Sequence, residues 1–196
     1  MDRRGFLSAK ANSKTLLTFN SRTNSGLSPF SPPFGKQEII HLLKRTLFGV
    51  KQSDIKLLSG KTLSEGLDIL LNTETTPAPP LNNYNDTNFT DPNVPTGQTW
   101  VNAPYDGNAN SRRYTSFKSW WIGLMLNQGT SIHEKMILFW HNHFATETLD
   151  IGDARYVYKH HMLLRKYALG NFKEFVKEIT LDPAMLRYLN GYLNNK

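Results

Sequence analysis

The stretch SIHEKMILFWHNHFA, residues 131–145, decides the fold. Drawn as a helix it is apolar nearly all round, and a helix of that kind is buried against several neighbours. It opens with Ser131 and Glu134 at capping-box spacing, in which the two side chains satisfy each other's backbone amides. The stretch therefore predicts a central helix of an all-α domain, and it carries three of the six histidines of the chain.

The three histidines take different positions around this predicted helix. With a rotation of about 100° per residue, His143 falls in the middle of the main apolar arc and is predicted to face the core. His141 falls on the other side, at the same edge as Glu134 two turns earlier, and His133 lies near the N-terminal end. The helix is therefore expected to separate His141 from His143.

Three functional interpretations fit this pattern. His141 and His143 are candidate metal ligands, because neutral imidazole binds divalent metal ions. On a straight helix, however, the two side chains point in nearly opposite directions and cannot chelate one ion. Glu134 and His141 are a candidate acid–base pair, and His143 is also a candidate general base in a cavity. The candidate catalytic residues are thus Glu134, His141 and His143, and no cofactor other than a divalent metal ion is predicted.

A structural role fits the same residues. In that interpretation His143 is a core histidine bonded to a backbone carbonyl, and Glu134 only completes the capping box. The helix also lacks the His-Glu-X-X-His spacing of helical zinc sites. The residues alone leave open whether the protein is an enzyme.

Apolar periodicity outside this stretch predicts further helices and no convincing strand. Together they form an irregular multi-helix bundle of seven or eight helices over residues 35–196. The expected helices cover residues 36–47, 53–60, 62–71, 112–127, 131–145, 153–169, 171–180 and 182–189.

Two segments are expected to lie outside the helices. Residues 1–34 are a basic stretch ending in SPFSPPFG, which predicts a disordered lead-in. Residues 73–111 hold six of the ten prolines and are too long for a simple connector. They predict a lid, an insertion, or a loop pinned by its aromatic side chains. Trp100 is the best candidate anchor, because burying its indole would fix the loop.

Composition excludes several classes of protein. The chain has no cysteine, so disulfides and cysteine-ligated metals are absent. The net charge is +7, but the basic residues concentrate in the N-terminal tail and on predicted solvent-facing helix surfaces, which makes a nucleic-acid partner unlikely. No apolar run reaches the length of a transmembrane helix.

Arg3-Arg4 is similar to part of a twin-arginine export signal, but the apolar region such a signal needs is missing.

Four segments resemble one protein family. Residues 134–146, EKMILFWHNHFAT, look like the signature of the bacterial domain-of-unknown-function 1800 family, and the Trp-His-Asn-His-Phe block is specific. Residues 163–172, 182–190 and 41–49 are similar to other blocks of the same family. The resemblance spans about residues 36–196.

The resemblance implies a helical domain without an established activity. Members often look exported, which favours an exported or periplasmic location, whereas the missing apolar region favours the cytoplasm. Members also continue beyond the block at residues 182–190, so this chain is expected to be the N-terminal part of a longer protein. We therefore expect a scaffold or interaction module of an envelope-associated protein, with a protein partner at the surface left open at the C-terminus. The alternative is a metal-dependent or acid–base hydrolase site on the Trp-His-Asn-His-Phe helix.

Overall fold

The computed structural model describes residues 30, 33–72 and 76–194. These residues form nine α-helices and one 3₁₀ turn, with an isolated bridge between Leu81 and Thr99 as their only β pairing. The all-α prediction is confirmed. The helix Thr148–Ile151, which has four residues, was not predicted and accounts for the additional helix. Residues 1–29, with most of the predicted lead-in and Arg3-Arg4, lie outside the described residues.

Polar side chains begin most of the helices. Asp106, Asp153, Asn171 and Asp182 each accept a hydrogen bond from a backbone amide of the first turn, as the capping preference requires. The helices are α1 (Lys36–Thr46), α2 (Gln52–Leu58), α3 (Leu63–Leu70), α4 (Gly107–Asn127), α5 (His133–His143), α6 (Thr148–Ile151), α7 (Ala154–Tyr167), α8 (Phe172–Ile179) and α9 (Pro183–Tyr188). The 3₁₀ turn is Gly191–Leu193. None of these helices combines the length and the apolar character needed to cross a membrane.

The helices enclose two apolar cores. The smaller lies among α1, α2 and α3, and its buried side chains are Ile39, Leu43, Leu47, Leu58 and Leu70. The larger is formed by α4 to α9, and it includes Phe117, Ile137, Leu164 and Phe175. The backbone amide of Ile132 donates to the carbonyl of Leu70 at 2.9 Å. This hydrogen bond therefore joins the residue before α5 to the last residue of α3.

The orientation of α5 corrects the helical-wheel prediction. The buried residues of α5 are His133, Glu134 and Ile137, whereas Phe139 is 53% exposed and His143 is exposed as well. The prediction that His143 faces the core is therefore wrong, and so is the expectation that α5 is buried on every side. The helical wheel predicts that the most apolar side of α5 faces the core. In the structure, the side of α5 that carries Glu134 and His133 forms hydrogen bonds with α7, and this side faces the core.

The long loop is pinned to α4 by its aromatic residues. Trp100 is fully buried, and its indole Nε1 donates to the hydroxyl of Ser116 at 3.0 Å. Trp100 is thus confirmed as an anchor of the loop. The loop ends at Asp106, which caps α4, so α4 begins five residues before the predicted Arg112.

A buried ion pair fastens the same loop to α4. The guanidinium of Arg113 donates from Nε and Nη2 to the two carboxylate oxygens of Asp91 at 2.9 and 3.0 Å, and from Nη1 to the Pro104 carbonyl at 2.8 Å. Tyr84 and the Asn93 amide also donate to Asp91. Burial raises the pKa of Asp91, but these hydrogen bonds and Arg113 outweigh it and hold the pKa below its usual range.

Replacing Arg113 should therefore destabilise the fold strongly. In Arg113→Met the Asp91 carboxylate stays buried without its countercharge, and we expect the free energy of unfolding to fall by about 3–5 kcal/mol. Urea denaturation measures the loss. The control is Arg112→Met, which removes a half-exposed pair with Asp86 and should cost far less. Equal losses in the two variants would show that the buried pair does not anchor the loop.

Candidate functional site

Three histidines meet a tryptophan where α4, α5 and α7 pack together. The ring of Trp121 on α4 lies 4.9 Å from the ring of His141 on α5 and 4.6 Å from that of His161 on α7, measured between centroids. The ring of His160, also on α7, lies 6.5 Å from that of His141. We call these four residues the histidine cluster. Of the three predicted candidate catalytic residues, only His141 belongs to it.

His160 is held by a carboxylate. Its Nδ1 lies 3.0 Å from Oδ2 of Asp182, and both side chains are almost completely buried. A carboxylate only accepts hydrogen bonds, so Nδ1 carries a proton, and in the neutral ring the lone pair is then on Nε2. Within the described residues, Nε2 of His160 has no hydrogen-bond partner. Asp182 also accepts from the Met185 amide at 2.9 Å, so the same carboxylate caps α9.

His161 is enclosed by aromatic rings. It is 2% exposed and packs edge-on against Phe117 and Trp120 as well as Trp121. Burial lowers the pKa of His161 well below its usual value, and Coulombic interactions with Arg165, His141 and His160 lower it further. His161 is therefore neutral, and neither of its ring nitrogens has a partner among the described residues.

His141 is the member of the cluster that reaches the surface, since it is only partly buried. Burial lowers its pKa, and the neighbouring His160 adds to the effect. At neutral pH the ring of His141 is mostly uncharged and can accept a proton.

Glu134 pairs with Arg165 on α7. Nη2 of Arg165 donates to Oε1 of Glu134 at 2.5 Å, and both side chains are buried. Nε2 of His133 lies 3.1 Å from the Arg165 carbonyl, to which it donates. The capping box predicted for α5 is not formed, because Glu134 is engaged by Arg165. The N-cap position is taken by Ile132, one residue later than predicted, and Ser131 accepts from the His133 amide at 3.2 Å.

The structure places the candidate residues in three separate environments. His143 is exposed; its ring stacks parallel to that of Phe139 and packs edge-on against Phe144, outside the cluster. Glu134 belongs to the pair with Arg165, and among the described residues no hydrogen bond joins it to His141. In that same part of the chain, no group of three or more His, Asp or Glu side chains is arranged to hold a metal ion.

The sequence analysis missed the contribution of α7. The residues Val157, His160, His161, Leu164, Arg165 and Ala168 are all buried. They recur at intervals of three and four, which is the spacing of one helix face. If histidine and arginine are counted with the apolar residues, the sequence of α7 predicts this buried face.

The buried histidines should make the fold sensitive to acid. A histidine whose pKa is lowered in the folded state binds its proton more readily in the unfolded state. Its stabilisation is therefore complete above the ordinary value of 6.5 and is lost as the pH falls below it. We expect His161→Phe to reduce the slope of unfolding free energy against pH by up to about 1.4 kcal/mol per pH unit. Urea denaturation between about pH 7.5 and pH 5 measures this slope.

The control is the same substitution at His41, which is exposed on α1 and lies outside the cluster. His41→Phe should keep the wild-type slope. An unchanged slope in His161→Phe would mean that this histidine titrates alike in the folded and unfolded chains.

Comparison with known proteins gives one match. No curated protein matches the chain, and no solved structure does. Residues 41–196 match a family described as a protein of unknown function (DUF1800), which covers most of the chain and all of the residues of the site. The chain therefore belongs to the DUF1800 family.

Proposed function

We propose that the histidine cluster is an acid–base site of hydrolase type, with His160 as the base. One observation carries the proposal: Asp182 holds Nδ1 of a buried His160, while Nε2 has no partner in the described structure. A carboxylate that fixes the tautomer of a histidine and leaves Nε2 free is the arrangement of base and orienting group in hydrolytic triads.

The chemistry follows from the two nitrogens. Nε2 of His160 accepts a proton from a water molecule or a substrate hydroxyl as the oxygen attacks, and later returns it to the leaving group. Asp182 stabilises the imidazolium that forms in between. His141, the partly exposed member, has its ring centroid 6.5 Å from that of His160. His161 and Trp121 keep the surroundings dry, which strengthens the interaction between Asp182 and His160.

Asp182 also has a structural role, and the test must separate the two. The carboxylate caps α9 and links it to α7. Asparagine caps helices about as well as aspartate, so Asp182→Asn preserves the cap. It removes the charge that fixes the tautomer of His160 and stabilises its protonated form.

The test is hydrolysis of chromogenic esters, phosphate esters and glycosides by the full chain. We expect a pH-dependent activity that Asp182→Asn lowers about 10²- to 10⁴-fold in kcat. The free energy of unfolding should change by less than about 1 kcal/mol. The matched control is Asp106→Asn, the same change at the cap of α4, away from the cluster.

Two outcomes would contradict the proposal. One is a wild-type chain that hydrolyses none of the three substrate classes. The other is an activity that Asp182→Asn and Asp106→Asn leave equally intact, which would restrict Asp182 to capping and packing.

A second candidate function is protein binding, supported by an apolar groove at α8 and α9. The groove encloses about 440 Å³ and is lined by residues such as Phe144, Val176 and Leu189. Leu181 and Leu189 beside it are 76% and 65% exposed. Apolar surface of this extent is typical of contact sites. Asp182→Asn leaves these exposed side chains unchanged, so the two functions can be tested separately.

A further inference from the structure

An open pocket lies between the long loop and α4. It encloses about 500 Å³, which falls within the range of small-molecule sites, about 300–1,000 Å³. One wall is the loop and the other is a face of α4, and the residues that line them are Ala78, Pro79, Pro80, Leu81, Asn83, Tyr84, Thr115, Ser116, Ser119 and Trp120. We call it the Trp120 pocket.

Hydrogen bonds between the two walls hold the pocket in shape. The indole Nε1 of Trp120 donates to the carbonyl of Ala78 at 2.8 Å. The hydroxyl of Ser116 donates to the carbonyl of Leu81 at 2.9 Å. The loop is therefore fixed against α4, and a ligand would enter a preformed pocket without first having to order its walls.

The lining of the pocket carries no charge. None of the lining residues is Asp, Glu, Lys, Arg or His. The hydroxyl of Tyr84 donates to Asp91 at 2.7 Å, and burial together with this hydrogen bond raises the pKa of Tyr84, so its ring stays neutral. A charged ligand would lose its hydration here without meeting a countercharge. The pocket therefore favours a neutral molecule.

Polar groups with free bonding capacity lie on both walls. The side chains of Asn83 on the loop and Ser119 on α4 are exposed and form no hydrogen bond among the described residues. The hydroxyl of Thr115 donates to the Ser111 carbonyl at 3.2 Å and can still accept. An amide and two hydroxyls together offer both donors and acceptors. Their natural complement is a set of hydroxyl groups, each of which also donates and accepts.

The rest of the lining is flat and apolar, since it includes Pro79, Pro80, Tyr84 and Trp120. A matching ligand has an apolar face and an edge of neutral hydroxyl groups. A sugar ring with equatorial hydroxyls has this form, because C–H groups cover its faces and the hydroxyls surround its edge. We propose that the Trp120 pocket binds a neutral saccharide.

This proposal does not depend on acid–base chemistry at the histidine cluster. Trp120 contacts His161 edge-on, with 5.3 Å between the ring centroids, but no residue of the cluster lines the pocket. Asp182→Asn should therefore leave saccharide binding unchanged. Binding without hydrolysis would contradict the proposed hydrolase and support the saccharide site, so the two proposals can fail separately.

Three probes with the same ring size test the saccharide proposal. They are methyl β-glucoside, methyl β-glucuronide and cyclohexyl methyl ether, of which the second adds a charge and the third lacks the hydroxyls. Binding to the full chain is measured by NMR from the Ser119 amide and the indole N–H of Trp120. We expect the glucoside to bind with a Kd of about 1 mM, as suits so small a molecule. The other two should bind at least about tenfold more weakly.

Two variants locate the binding. Asn83→Ala and Ser119→Ala each remove a side chain without hydrogen bonds in the described structure, and each should weaken the glucoside about fivefold. The matched controls are Asn88→Ala on the same loop and Ser111→Ala on the same helix. Both residues are exposed and lie outside the lining, so both variants should keep the wild-type affinity.

Three results would overturn the proposal. One is the absence of saturable glucoside shifts up to about 10 mM. Another is equal binding of cyclohexyl methyl ether or of the glucuronide, which would show that the hydroxyls or the neutral lining do not select the ligand. The third is an unchanged affinity in both Asn83→Ala and Ser119→Ala. Because both residues are exposed, these variants are expected to fold and to give a readable result.

Discussion

The ion pair between Glu134 and Arg165 sets the orientation of the central helices. A buried charge without a partner is strongly destabilising, so burying Arg165 on α7 requires Glu134 on α5 to face it. That requirement rotates α5 until its polar side points inward. Phe139 and His143 are then left at the surface, while His141 turns towards α4 and α7. The histidine cluster is therefore a consequence of the same contact that positions α5.

Among the described residues, the two buried arginine–carboxylate pairs differ in how many of their hydrogen-bonding groups have partners. All three nitrogens of the Arg113 guanidinium and both oxygens of Asp91 are hydrogen-bonded, which is the saturation expected of a structural anchor. In the pair of Glu134 and Arg165, one oxygen and Nε have no partner. The residue types are the same, but only in the first pair does every hydrogen-bonding group have a partner. Leaving buried polar atoms unpaired costs free energy, so the second pair stabilises its surroundings less completely than the first.

Local signals in the sequence predicted local features well. The helices predicted from residues 153 and 182 begin there, each with an aspartate as its N-cap, and Trp100 anchors its loop. The predicted orientation of α5 was wrong because a helical wheel ranks residues by apolarity alone. The partner that turns Glu134 inward, Arg165, lies 31 residues further along the chain. Asp182 and His160 are likewise 22 residues apart, so no local pattern could have paired them.

The interior around α7 depends on keeping His161 uncharged. Burial among aromatic rings lowers the pKa of His161, and the same low-polarity surroundings strengthen the hydrogen bond between Asp182 and His160. Protonating His161 would place a positive charge near Arg165, which faces the same interior. Above the ordinary value of 6.5, the stabilisation that comes from neutral His161 is complete. The aromatic enclosure that lowers the pKa of His161 is therefore the same feature that makes the fold sensitive to acid.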